Sequence, residues 1–408
     1  MKRTLLGLLA ITAIAGISFA FSFSSYLQNS EGEPQNVLLA EWGRDHHLGP
    51  VVAKAEDFYY AHINKVPVGG SPTAVPGFNE VQSPAATTDP TPEPTQPRAT
   101  ASSQKSTPAS NDPSTQASQT SSLSSNLDSL ATTNLAPPAT VDSPVSKKLK
   151  GEGAWVPVGS TVNGKPAIYV TRVRADNIHT SVFASLMWIN TDLAKAVFVP
   201  GYIEPGGPSP TNGELSKNLQ STVLANFNGA FRLDDTHGGY YYKGTTIRAL
   251  SNGKATTVIY KDGSIKIGKW GRDLSMTPNV QVARQNLDLV IDKGISQVQS
   301  GNNFQWGATT HGETFAWRSA IGQRADGSIV YIGSPGLSAQ GMANTMVNAG
   351  VKRAMVLDMN NWWVAGFYFR HASNGDPICA KLDPNIQEGC NRFLKRYKRD
   401  SFDFVARP

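Results

Sequence analysis

From Pro67 to Ser146 the chain is built of Pro, Ser, Thr and Ala with few large apolar residues, as in Pro90-Thr91-Pro92-Glu93-Pro94-Thr95. Such a stretch cannot bury enough apolar surface to offset the entropy of ordering it. Folding is therefore confined to what flanks residues 67–146, which read as a disordered linker with a root-mean-square span of roughly 50 Å. From Lys147 to Pro408 the aromatic, β-branched and glycine content returns, enough for one large domain at 147–408.

Before the linker, Lys2 and Arg3 precede an uncharged apolar run from Leu5 to Phe23. At about 1.5 Å per helical residue this run just reaches across a hydrocarbon core of roughly 30 Å. Residues 1–25 are expected to be a signal anchor, or a signal peptide cut after Ala20, since Ser18 and Ala20 are small. Either reading places the rest outside the cytoplasm, membrane-anchored or secreted. Residues 26–66 form a juxtamembrane helical segment. Leu38 and Trp42 share one face, Leu48, Val52, Ala55 and Tyr59 another, and Gly49-Pro50 splits the run in two. His46 and His47 lie at the corner between the halves, and adjacent histidines point to different sides, which does not suit a metal. Two cysteines exclude a disulfide-rich scaffold or a cysteine-rich metal centre. In an oxidising compartment Cys379 and Cys390 are expected to bridge. The net charge of +6 suits an anionic partner, but no nucleic-acid-reading motif is present and nucleic acid is not expected.

Within 147–408 the expected class is α+β, with mixed sheets, an antiparallel meander and a C-terminal strand-helix-strand unit. Strands are read at Ala167 to Val173, Thr180 to Met187 and Ala196 to Val199. Asn252-Gly253 and Asp262-Gly263 separate Thr245 to Leu250, Ala255 to Tyr260 and Ile265 to Ile267 as hairpin turns. Ser328 to Ile332, a helix from Leu337 to Ala349 capped by Ser338 and stopped by Gly350, and Arg353 to Leu357 make the last unit. Its length implies parallel pairing.

Asp358 follows that unit's second strand directly, where carboxylates of parallel sheets meet ligands, although a turn aspartate capping backbone amides would look the same. Asn228 and Gly229 end the apolar run Val223 to Phe227. The amide offers a donor and an acceptor to a sugar, and the glycine permits close backbone approach; a plain Asn-Gly turn is the alternative. Arg318 can fork two hydrogen bonds to a phosphate or pair with a structural carboxylate. His311 and Glu313 would share one face of a strand and act as acid and base, or hold a divalent cation together. No other cofactor or metal is expected.

These residues resemble a known family. Asn228-Gly229-Ala230-Phe231, Arg318-Ser319-Ala320-Ile321-Gly322 and Ala354 to Asp358 are similar, in order, to the N-G-G-F, R-T-A-I-G and A-x-x-L-D-G-G-G-S blocks of the phosphodiester glycosidases. Where that family has glycines and a serine, this chain has Met359, Asn360, Asn361 and Trp362, as in a secreted actinobacterial branch with L-D-[IM]-N before a tryptophan. The resemblance implies hydrolysis of a sugar-1-phosphodiester of the cell envelope. Asp358 would act at the anomeric centre, Arg318 on phosphate and Asn228 on the sugar. Gly229, His311, Glu313, Asn360 and Trp362 would line the substrate site. The competing expectations are a stalked glycan-binding module without turnover, and an envelope interaction protein using the basic segment Arg392 to Arg399.

Overall fold

The structure is a computed structural model that describes residues 18–28, 30, 32–63, 65–78, 135–207, 212–298, 306 and 315–408. Helix α1 is Gln35–Asp45 and α2 is Gly49–Phe58, divided at the expected Gly49-Pro50. Among the described residues no helix is long and apolar enough to cross a membrane; most of the Leu5–Phe23 run lies outside them.

The body is α+β and mostly β, with three antiparallel sheets. The largest runs, in spatial order, through β1 (Val156–Val162), β2 (Lys165–Val173), β3 (Ala184–Ile189), β14 (Ile329–Leu337), β13 (Ala316–Arg324), β15 (Val351–Met359), β11 (Leu289–Asp292) and β12 (Ile295–Ser296). A second sheet orders β7 (Thr245–Arg248), β6 (Tyr240–Tyr242), β10 (Val280–Gln285), β8 (Ala255–Tyr260) and β9 (Ile265–Lys269). The third orders β17 (Pro377–Lys381), β16 (Gly366–His371), β5 (Val223–Asn228), β18 (Ser401–Ala406) and β4 (Ala194–Val199).

Alternation along the strands divides the core. Met187, Ile321, Tyr331 and Met355 face inward against Ile259 and Val282 of the second sheet and Phe227 and Phe402 of the third. The next residues along the same strands, Leu186, Ala320, Val330 and Val356, face the other way under helix α3 (Ala339–Asn348). This explains why β3 and β14 read as continuous apolar runs: both of their faces are covered. Met342 and Met346 seal α3 to the sheet, each burial contributing about 1.5–3 kcal/mol. Ser338 caps α3, its hydroxyl accepting from the Gly341 amide at 3.0 Å, and Gly350 stops it with φ 84°.

Two expected pairings differ. The strands joined by α3, β14 and β15, do not pair with each other; β13 lies between them, antiparallel to both, so the crossover steps over one strand. Asp262-Gly263 does turn a hairpin, β8 to β9, but Asn252-Gly253 joins β7 to β8, which are not neighbours. The ends of the expected linker also lie against the body. Phe78 stacks under Arg172 at 4.2 Å, and Val141 is 1% exposed; residues 79–134 lie outside the described residues. Cys379 and Cys390 form the disulfide.

Candidate active site

β5 is buried along its whole length and delivers Asn228 at its end, while β13 and β15 deliver Ser319 and Asp358 beside it. One hydroxyl joins the three. Ser319 Oγ accepts from Asn228 Nδ2 at 3.0 Å and from the Asp358 amide at 3.1 Å, and lies 3.2 Å from the Asp358 carbonyl. Asn228 makes further bonds: Nδ2 donates to the Gly229 carbonyl at 2.9 Å, and Oδ1 accepts from Tyr331 Oη at 2.9 Å and from the Ala365 amide at 3.1 Å. Its amide therefore has both donors and both acceptor positions in use, and it acts as a staple that fixes the floor.

A β-bulge aims the acid. Between the pairs Arg318↔Met359 and Ala320↔Val356, β15 carries one residue more than β13. An extra residue interrupts alternation and redirects side chains locally. Asp358 is thereby separated from Met359, which returns to the face of Arg318 with its sulfur 3.2 Å from Arg318 Nη1. Arg318 is fully buried on that other face, its Nε donating to the Leu337 carbonyl and its Nη1 to the Trp306 carbonyl, both at 2.9 Å. In place of the expected phosphate contact, these two donors bind the backbone carbonyls of Leu337 and Trp306.

The cation that faces Asp358 is Arg399, whose Nη1 lies 3.8 Å from Asp358 Oδ2. Its guanidinium lies over the Trp363 ring at 4.2 Å. Asp358 is 6% exposed, and its Oδ1 accepts from the Met359 amide at 2.7 Å. Burial pushes the carboxyl up to about 7, Asp235 and Asp400 adding to the rise, while Arg399 and the Met359 amide pull the other way. Burial alone would lower Arg399, but Asp358, Glu41 and Glu204 outweigh it and raise it.

Asp400 completes the floor. It is 1% exposed and paired with the fully buried Arg284, Nε to Oδ2 at 2.9 Å, and burial raises it against that pairing. Gly229 fits over it with no room for a side chain, since a Cβ there would lie 2.2 Å from Asp400 Oδ1. The cavity bounded by Asn228, Gly229, Asp358, Trp363, Arg399 and Asp400 has a volume of about 10 Å³, so the site is closed to anything larger than water. On the other side of Arg399 a second cavity of about 250 Å³ opens against Glu41 and Asp45 of α1.

Other expected positions separate from this cluster. Trp362 is 8% exposed and packed in the core beside Arg392 at 5.6 Å; it does not line the cavity, whereas Trp363 does. Asn360, at φ 94°, caps the Trp362 amide and lines the groove against α1 and α2. His311 and Glu313 lie outside the described residues. The segment Arg392 to Arg399 is not an exposed basic strip: Lys395 and Arg396 are exposed, but Arg392, Lys398 and Arg399 are buried. Sequence reasoning missed Ser319, Arg399, Asp400 and Arg284. The run Lys398-Arg399-Asp400 just before an apolar strand was the signal for two of them, because charge adjoining a buried strand needs partners. Among the described residues no group of three or more His, Cys, Asp or Glu is placed to hold a metal ion.

No curated protein matches the chain. Solved structures that resemble it include the zebrafish N-acetylglucosamine-1-phosphodiester α-N-acetylglucosaminidase catalytic domain, auto-inhibited by its pro-peptide. That domain is 16% identical, with 61% of this chain and 87% of that one covered and a TM-score of 0.36. A hypothetical protein from Synechocystis is 11% identical over 61% of this chain and 64% of that one, with a TM-score of 0.34. Asn228, Gly229, Ser319 and Asp358 all fall within residues 221–358, the stretch that matches the phosphodiester glycosidase family model.

Proposed function

We propose that the chain hydrolyses a sugar-1-phosphodiester, with Asp358 acting at the anomeric carbon and Arg399, in place of Arg318, taking the phosphate. The observation that carries the reading is the pair of Asp358 and Arg399, 3.8 Å apart with Arg399 over the Trp363 face and Asp358 at the end of the family-matched segment. Breaking the C1–O bond builds positive charge on the sugar ring, which an ionised Asp358 stabilises or attacks, while the leaving phosphate takes the bonding electrons and gains a negative charge that Arg399 offsets; water then adds at C1 and releases the sugar. Phosphate leaves readily, so a strong general acid is not required. Asn228 positions Asp358 through Ser319 without touching the sugar, and Trp363 supports Arg399 from beneath.

The apolar run Leu5–Phe23 after Lys2 and Arg3, together with the Cys379–Cys390 bridge, supports an extracytoplasmic location with the N-terminal run as anchor, and an envelope sugar-phosphate as substrate. The test is release of reducing sugar from a sugar-1-phosphodiester by the full chain. We expect at least a hundredfold loss in Asp358→Asn, and a rate that rises with pH through about 7 as the carboxyl ionises. Turnover retained within threefold by Asp358→Asn would sink the assignment. A second reading is favoured by the small cavity of about 10 Å³ and the bulky Met359-Asn360-Asn361-Trp362 run: a glycan-binding module without turnover, for which saturable binding with no sugar released is the expected result.

A further inference from the structure

The cations around the larger cavity are neutralised by a separate stretch of chain. Lys398 Nζ lies 2.7 Å from Glu33 Oε1 and 3.0 Å from Glu41 Oε2, Arg399 Nη2 lies 3.4 Å from Glu41 Oε1, and Arg232 is hydrogen-bonded to Asp45. The three carboxylates belong to one short segment, α1 and its approach, whereas the three cations belong to the body. On the body's own side, among the described residues, Glu204, 3.4 Å from Arg232, and Asp358, 3.8 Å from Arg399, form ion pairs with them, and Asp400 adds an attraction for Arg399. With the segment in place the cation side chains are 7%, 10% and 12% exposed, so each needs an anionic partner there. Two of them also rest on a residue of the body: Trp363 underlies Arg399 at 4.2 Å and Lys398 at 5.6 Å. A cavity of about 250 Å³ lies among these groups, several times the roughly 30 Å³ a water occupies in the liquid.

We infer that Arg232, Lys398 and Arg399 form a second anion-binding site, built for a further phosphate of a polyanionic substrate, and that Glu33, Glu41 and Asp45 occupy it in this structure. The planar guanidinium groups of Arg232 and Arg399 match phosphate oxygens two at a time, and Lys398 adds a point charge. The inference rests on the proposed function for one feature alone: Arg399 is shared, so a phosphate at the second site continues the chain whose first phosphate lies beside Asp358. The substrate class it selects is a polymer of linked phosphodiesters, in preference to an isolated sugar phosphodiester. A bound polyanion and the α1 carboxylates compete for the same cations, so binding and release of α1 are linked.

The test uses the full chain and inorganic pyrophosphate, read by calorimetry without turnover, so that an inactive glycosidase and a missing anion site give different results. The doubly neutralised Glu41→Gln/Asp45→Asn variant is expected to bind pyrophosphate at least tenfold more tightly than the unaltered chain. Adding Lys398→Met should remove most of that gain. An affinity no higher than that of the unaltered chain, or a gain that survives Lys398→Met, overturns the inference. Should the double variant fail to fold, hydrogen exchange on the unaltered chain decides: pyrophosphate should speed amide exchange in Gln35–Asp45 threefold or more, and unchanged or slower exchange refutes the competition.

Discussion

Replacing Asp358 by Asn should make the protein more stable at neutral pH while stopping catalysis, and the size of the effect follows from the site. Burial holds this carboxyl at about 7, whereas in an unfolded chain it titrates near 3.9. At 1.36 kcal/mol per pH unit that separation corresponds to about 4 kcal/mol. The folded state binds the proton more tightly, so stability falls as pH rises from about 4 to about 7 and then levels off. An asparagine has the shape of the protonated acid and still accepts from the Met359 amide, so it removes this dependence. The stability difference between Asp358→Asn and the unaltered chain should grow from near zero at pH 4 to about 4 kcal/mol at pH 8. Asp403, also raised to about 7 by burial, contributes equally to both proteins and cancels. Urea unfolding followed by tryptophan fluorescence at pH 4, 6 and 8 measures the difference. A difference that stays flat with pH, or a variant less stable than its parent at pH 8, would show that the acid is not held neutral by burial and would remove the basis for its activation.

Gly229→Ala should destabilise the fold by about 1–3 kcal/mol, because its Cβ would meet Asp400 Oδ1 at 2.2 Å while Arg284 holds that carboxylate in place; an unchanged urea midpoint would contradict the packing. Reducing Cys379–Cys390, which closes a loop of sequence separation 11, should remove about 3 kcal/mol in the chain-entropy estimate. The check is a melting curve with and without dithiothreitol.

The sequence was most legible where one rule decided the outcome. Gly49-Pro50 splits α1 from α2 because proline suits a first helical turn, and Ser338 with Gly350 brackets α3 because a hydroxyl and a positive φ serve opposite helix ends. Asp358 and Asn228 were legible for a similar reason, each ending a buried apolar strand. Position along a strand does not reveal the facing, however. Arg318 sits one residue from Ser319 yet on the opposite side of the sheet, and a bulge whose extra residue has no mark in the sequence aims Asp358. The order of strands was equally hidden, since β13 inserts between β14 and β15 through contacts the α3 crossover does not encode. Lys398 and Arg399 were read as part of a basic segment offered to an anionic partner, because nothing local shows that Glu41, 357 and 358 positions away, reaches them.

Strand β18, Ser401–Ala406, lies inside its sheet, with β5 on one side and β4 on the other, although it is made after both. A chain halted before Ser401 would therefore leave two open strand edges facing a slot one strand wide, each a template for association with other chains. Insertion of this strand is the step that closes the gap and brings the neighbouring Arg399 and Asp400 to Asp358. An incompletely synthesised protein is thus adhesive and lacks the Asp358–Arg399 pair, and the window between emergence of β5 and arrival of β18 is when a holding chaperone would matter most.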